Sequence, residues 1–399
     1  MFAFDESYDV LIAGGGVAGV AAAVSAARAG ARTALVEKQV LLGGLATSGL
    51  VNYYPPLCDG RGRQVTFGLA EELLLLSIKY GPGDVPPGWD RPAREGERQP
   101  RYCARFNPAS FVLAIDELLA EAGVEVWLDT LICLPVMQDD RVAGFEVEGK
   151  SGRGVLRAAC VVDATGDADV AHRAGAECVE ADNWMTLWAL QVSLEAARQA
   201  VAQGSGAPLL QLKIIGASDS GKNRVEGIRK FSGLDPRDIT EFVLTGRRLL
   251  LDYYRDRQAQ EADGRKNVFP ITLPAMPDVR TTRRIAGRTT LTRDAVGRHA
   301  DEAVGLVADW RAAGQVWEVP YGALLPRNAA GLLSAGRCVS VDTYVWEVTR
   351  VIQGCALTGE VAGLAAAMSA RQDTTPDALD AQVLRAELEG RGVACRLPD

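Results

Sequence analysis

Three glycines in G-x-G-x-x-G spacing, Gly14, Gly16 and Gly19, constrain this chain more than any other feature. They follow a short apolar run at 8–13 and precede an alanine-rich stretch at 17–29 that ends at Gly30. An apolar run bounded by glycines suits a buried parallel strand, and the alanines favour a helix. Residues 32–37 read as a second strand, completing a strand–turn–helix–strand unit. In such a unit the first glycine permits the tight turn. The second lets backbone approach a pyrophosphate, and the third lets helix pack closely on strand. The helix N-terminus offers unpaired N–H groups and a positive dipole end. Glu37 closes the second strand, where a carboxylate accepts hydrogen bonds from ribose hydroxyls. The unit predicts dinucleotide binding.

The fingerprint alone does not separate FAD from NAD, but three further features point to FAD. Gly43-Gly44-Leu45-Ala46-Thr47 lies just past the second strand, where flexible backbone can run beside an extended cofactor. Asp163-Ala164-Thr165-Gly166-Asp167 ends a later strand with small residues that let backbone pass the adenosine side. Ala335-Gly336-Arg337 precedes a helix opening near Gly354-Cys355, whose N-terminus can stabilise negative charge on a reduced flavin. No second glycine fingerprint follows a strand, so a separate nicotinamide domain is not expected. The candidate cofactor contacts are Gly14, Gly16, Ala18, Gly19, Glu37, Lys38, Gly44, Thr47, Ala164, Thr165, Gly166, Gly336, Arg337, Gly354 and Cys355.

A net charge of −8 argues against nucleic acid or anionic lipid as a partner. No apolar stretch reaches the roughly 18 residues of a membrane helix. Residues 1–7 lack the cationic and apolar regions of a secretion signal, so a cytoplasmic location is expected. The eight cysteines form no C-x-x-C pair, and there are two histidines, His172 and His299. No metal site is therefore expected. The fold class is α/β. A discontinuous FAD-binding domain is read over 1–60, 105–182 and 318–370. Residues 61–104 read as an excursion, exposed over 81–100. Residues 183–317 read as an inserted mixed α/β substrate or cap domain, with a long helix over 235–258. A terminal helix falls within 371–399.

The segments 13–19, 42–49, 163–166, 279–287, 316–326 and 333–363 together carry a family pattern. The chain resembles the bacterial FAD-dependent oxidoreductases of the glutathione reductase-type superfamily, in the group that includes the flavin subunit of heterodisulfide reductase. The resemblance implies a Rossmann-like three-layer ββα FAD-binding domain with an inserted domain. It implies that Gly14, Gly16, Gly19 and Glu37 hold the ADP half, and that Gly44 and Thr47 line the ribityl and flavin path. Thr165 and Gly166 would pass the adenosine side, with Gly336, Arg337, Gly354 and Cys355 near the ribityl chain and ring. Arg337 departs from the pattern, since an Asp often meets the ribityl chain there. The iron–sulfur cysteines of heterodisulfide reductase subunits are absent.

A flavin takes hydride at N5 while the protein moves a proton at the substrate. The expected function is an FAD-dependent dehydrogenase or oxidase that moves a hydride between a small organic substrate and the flavin. The electron acceptor is left open, and a homo-oligomer is compatible with the chain. Residues 342–350 gather polar and aromatic side chains between two flavin-contacting segments. There Arg350 would face the flavin or an anionic substrate group, Glu347 or Tyr344 would act as base, and Trp346 would wall the pocket. The competing reading makes Arg350 and Glu347 a structural ion pair. Cys58 is a candidate nucleophile or a packed thiol. Arg280, Arg283 and Arg284 either clamp a carboxylate or pair with acids such as Asp278 and Asp294. His299 lies in a polar stretch that reads as solvated helix. Two other classes compete: an electron-transfer flavoprotein subunit without a small substrate, and a non-redox, thiazole-synthase-like flavoprotein.

Overall fold

The computed structural model describes residues 2–85, 103–218, 220–260 and 264–398. Most of the expected exposed excursion, residues 86–102, lies outside them. The glycine motif connects β1 (Asp5–Ala13) to α1 (Val17–Arg28), and β2 (Thr33–Val36) returns parallel to β1. Both faces of β1 are covered. Val10 and Ile12 enter the core beneath the helices, while Leu11 and Ala13 enter a second core on the opposite face. This accounts for the continuous apolar run.

Asn107 caps α2 (Pro108–Ala122) by accepting from the Ala109 amide at 3.1 Å, and Gly123 ends that helix at φ 73°. β3 (Glu125–Trp127) adds parallel to β2. β4 (Leu131–Gln138), β5 (Arg141–Gly149) and β6 (Gly152–Asp163) follow as an antiparallel meander. The sequence reads a short strand over 159–164, but β6 runs 12 residues. Its first half pairs with β5, and from Val155 it runs parallel to β1.

The inserted region contains β7 (Thr186–Ser193), β8 (Gln211–Gly216), α3 (Pro236–Ala259) and β9 (Val268–Thr272). The strands form an antiparallel sheet ordered β8-β7-β9. Leu250 and Tyr254 of α3 pack on Leu187 and Ala189 of β7. Asp235 caps α3, accepting from the Arg237 and Asp238 amides. Strand Ala303–Ala308 falls within the span read as cap from sequence, and Val316–Pro320 straddles its boundary at residue 317. Their Val304, Val307, Trp317 and Val319 share the core of α1.

β10 (Leu332–Ser334) lies parallel to the end of β6, giving a parallel layer ordered β3-β2-β1-β6-β10. α4 (Thr343–Thr349) and α5 (Ile352–Arg371) follow, bent by 86°. Among the described residues no single helix is long and apolar enough to cross a membrane.

α1 and α5 pack with their backbones in contact. A Cβ on Gly359 would lie 2.2 Å from the Ala18 carbonyl oxygen, and one on Gly363 would lie 2.1 Å from that of Ala22. Ser25 Oγ donates to the Glu360 carbonyl at 2.8 Å across the same contact. The Glu360 carboxylate is buried and accepts from the Leu69 amide at 2.8 Å, at the start of the helix Leu69–Ile78. Burial pushes its carboxyl up to about 7.

Two outcomes follow from this packing. Gly359→Ala should cost about 1–3 kcal/mol, because the added methyl meets rigid backbone; thermal unfolding measures it. The raised Glu360 carboxyl favours folding while protonated, so its contribution is present below pH 4.5 and fades as pH rises through about 7. The loss is roughly 3 kcal/mol. Glu360→Gln should flatten stability between pH 4.5 and 7 in denaturant titrations; an unchanged slope would assign the pH dependence elsewhere.

Candidate functional site

The loops after β1, β6 and β10 and the N-termini of α1 and α5 border one cavity with about 800 Å³ of empty space, part of it open to solvent. The cavity follows from where the strands end. Gly14 takes φ 97°, and its amide donates to the Val36 carbonyl at 2.8 Å. A Cβ on Gly14 would lie 2.8 Å from the Ala164 carbonyl oxygen, so only glycine lets the first and second loops meet. Gly16 differs. Its φ is −68°, and a Cβ there would meet nothing within 4 Å, so it would project into open space at the cavity wall.

Gly16 caps α1 without a side chain, and Val351 caps α5 without a side-chain hydrogen bond. The first-turn amides of both helices therefore lack a capping partner. Val17, Ala18, Ile352 and Cys355 from these turns border the cavity. Two positive helix ends thus face one space, an arrangement suited to anionic or electron-rich groups. The cradle at Gly16 and these amides fit the diphosphate of FAD.

Twelve of the expected cofactor residues border the cavity. They are Gly14, Gly16, Ala18, Glu37, Lys38, Gly44, Ala164, Thr165, Gly166, Gly336, Arg337 and Cys355. Glu37 is held in place by the loops, its Oε2 accepting from the Gly15 amide at 2.7 Å and its Oε1 from the Gln39 amide at 2.9 Å. Gly19, Thr47 and Gly354 do not border the cavity. A Cβ on Gly19 would lie 1.8 Å from the Gly14 carbonyl oxygen, and one on Gly354 would lie 2.4 Å from that of Thr349. Both glycines serve packing. Thr47 Oγ is turned inward and donates to the Leu42 carbonyl at 2.5 Å.

Asp163 shapes the second loop. Its Oδ1 accepts from Thr165 Oγ1 at 2.7 Å, and its Oδ2 from the Ala171 amide at 2.9 Å. Burial pushes this carboxyl up to about 6 despite those bonds. Arg337 turns toward the same loop. It donates to the Val279 carbonyl and lies 3.4 Å from Asp167 Oδ1, under Gly166. Its side chain thus braces the loop.

The expected catalytic residues separate. Arg350 borders the cavity and pairs with Glu347 at 2.5 Å, so the ion pair and the cavity position hold together. Tyr344 and Cys58 are not brought to the cavity. Tyr344 Oη donates to Asp309 at 2.9 Å; burial and that carboxylate hold its hydroxyl above the usual range. Cys58 packs in the apolar core. Trp346 walls nothing: it is fully buried, donates to the Arg337 carbonyl at 2.9 Å, and carries Arg284 over its ring at 4.3 Å. The three clustered arginines also diverge, since Arg280 pairs with Asp278, Arg283 with Asp169, and Arg284 donates to the Val341 carbonyl. His299 lies in a loop past a short 3-10 turn, 2.8 Å from the buried Glu318, and not in a helix. Burial pushes the Cys355 thiol up to about 11, which suits a packed donor to the Arg350 carbonyl better than a nucleophile.

Sequence reasoning missed Met276, which reaches the cavity from the inserted region. Its segment carries two prolines, Pro274 and Pro277, but no chemical motif marks it.

A family model described as FAD dependent oxidoreductase matches residues 9–203 and 196–388. Two curated relatives are digeranylgeranylglycerophospholipid reductases. That of Thermoplasma volcanium is 28% identical over 172 residues, 40% of this chain and 40% of its own. That of Methanoculleus marisnigri is 31% identical over 186 residues, 44% of this chain and 42% of its own. The chain thus spans about two-fifths of the length of the curated relatives it matches. Among solved structures, a geranylgeranyl bacteriochlorophyll reductase-like protein from Thermoplasma acidophilum aligns over 97% of this chain and 83% of its own, at 14% identity and a TM-score of 0.44. The p-nitrophenol 4-monooxygenase of Pseudomonas putida aligns over 98% and 82%, at 15% identity and a TM-score of 0.47.

Gly16 and Gly19 should respond in opposite ways to a methyl group. Gly16→Ala should leave folding stability within about 1 kcal/mol while weakening FAD at least about tenfold, because its methyl enters only the cavity. Gly19→Ala should destabilise the fold itself. Flavin content and thermal melts of the two variants separate these effects, and equal melting losses would contradict the distinction.

Proposed function

Since the chain belongs to the FAD dependent oxidoreductase family, we propose that the cofactor's ADP half lies against α1 and its flavin toward α5, where a small organic substrate exchanges a hydride with it. The convergence of two uncapped helix N-termini on one cavity carries this reading. Gly14, Gly16, Ala18 and Glu37 would hold the diphosphate and ribose, and Gly336 and Cys355 the flavin end. When bound, the flavin supplies the two-electron chemistry. The α5 amides would favour negative charge at that end. Arg350 would bind an anionic or polar group of the substrate, and Glu347 would hold the guanidinium in place at 2.5 Å.

The reading extends to lineage and setting. The antiparallel meander opposite the helices supports a glutathione reductase-type arrangement. We place the chain in the bacterial group that includes the heterodisulfide reductase flavin subunit, on the segments that carry the resemblance. No disulfide joins any of the eight cysteines, which supports a cytoplasmic setting.

Purified protein should be yellow, absorb near roughly 450 nm, and bleach anaerobically with a suitable amine, alcohol, hydroxy acid or enone, or oxidise again with it after reduction. Arg350→Met should retain FAD and photoreduce normally, yet slow reduction by substrate at least about tenfold, or about 1.4 kcal/mol of barrier. Normal photoreduction with no response to any of these compounds would argue against a small substrate.

A further inference from the structure

A second pocket, with about 410 Å³ of empty space, lies in the inserted region. Leu187 of β7 and Phe242 and Val243 of α3 make its walls apolar, and the 274–278 segment closes one side. Met276 belongs to this wall and to that of the cofactor cavity, so the two spaces adjoin. The segment is fixed toward the cofactor side by the Ala275 amide, which donates to the Ser48 carbonyl at 2.8 Å.

One cation lies at the edge of this pocket. Arg247 follows Val243 by one helical turn and so shares its face of α3. The Arg247 side chain is exposed, and its guanidinium has no hydrogen-bond or ion-pair partner among the described residues. This sets it apart from Arg280, Arg283, Arg337 and Arg350, each paired with a carboxylate. A guanidinium beside apolar walls is suited to a carboxylate, which it binds through two parallel hydrogen bonds. Asp278 lines the same pocket, buried, with Arg280 at 3.4 Å. Its negative charge disfavours a doubly charged head group there.

We propose that this pocket is the substrate subsite and takes an apolar monocarboxylate, its carboxylate on Arg247 and its carbon skeleton directed past Met276 toward the flavin. The proposal rests on the assignment of FAD to the adjoining cavity. It adds the chemical class of the substrate and the side from which it enters.

Titration of the FAD-loaded enzyme with decanoate, decanol and decyl phosphate, followed by the change in flavin absorbance, tests it. Decanoate should give a saturable change, with decanol at least tenfold weaker and decyl phosphate weaker than decanoate. Arg247→Ala should raise the decanoate Kd at least tenfold and leave that of decanol unchanged, while Arg247→Lys restores part of the affinity. Val243→Trp, which fills the pocket away from the cofactor, should abolish the response without loss of FAD. Equal binding of decanol, an unchanged Kd in Arg247→Ala, tighter decyl phosphate, or no response at all would overturn the proposal. In each of those cases a stoichiometric flavin content leaves the cofactor assignment standing. A colourless protein that takes up no FAD would defeat both.

Discussion

Gly359 and Gly363 set the backbone of α5 directly against Ala18 and Ala22 of α1, and the cofactor cavity exists because of that approach. Any side chain at either glycine would push the helices apart by the width of a methyl group or more. The contact brings two helix N-termini to one place, although they come from opposite ends of the chain. Each start carries amides without a capping partner, and their partial charges add where the cavity opens. A further consequence appears at Gly336, where φ is 67° and a Cβ would lie 2.7 Å from that of Ala18. The third loop therefore closes on α1 only because glycine stands there.

Buried charge in this protein mostly braces loops. Asp163 gathers donors from the Thr165 and Ala171 positions, Arg337 spans to Asp167 and the Val279 carbonyl, and Arg283 joins Asp169. Each arrangement satisfies polar groups that would otherwise be costly to bury. The bracing ties the second loop to the segment leading out of the inserted region. Positions of the cofactor loops and of the inserted region are thereby linked. Arg350, like Arg337, is both paired and at the cavity wall, but its partner Glu347 lies on its own helical segment and not on a cofactor loop.

The local code of the fold was legible. The glycine motif acts on neighbours in sequence, and α1 forms where it places it; the long helix read over 235–258 likewise forms as Pro236–Ala259. The α/β class followed from the strand–turn–helix–strand unit, the FAD cofactor from loops that end strands with small residues, and the oxidoreductase activity from the family resemblance. The site was less legible where a residue type has two uses. Gly16 and Gly19 look alike in sequence, yet one faces open space and the other meets a carbonyl. Tyr344 and Trp346 lie near Arg350 in the chain, but α4 turns Tyr344 toward Asp309 and buries Trp346 against the Arg337 carbonyl.

The sequence by itself determined the strand–turn–helix–strand unit and its phosphate-binding turn, because these depend on spacing within about 30 residues. Tertiary structure alone decided that Met276 borders the cofactor cavity, that Arg337 braces a loop, and that Gly359 and Gly363 meet α1. Each of those outcomes depends on which distant backbone a side chain, or its absence, encounters after packing. No local spacing encodes that encounter.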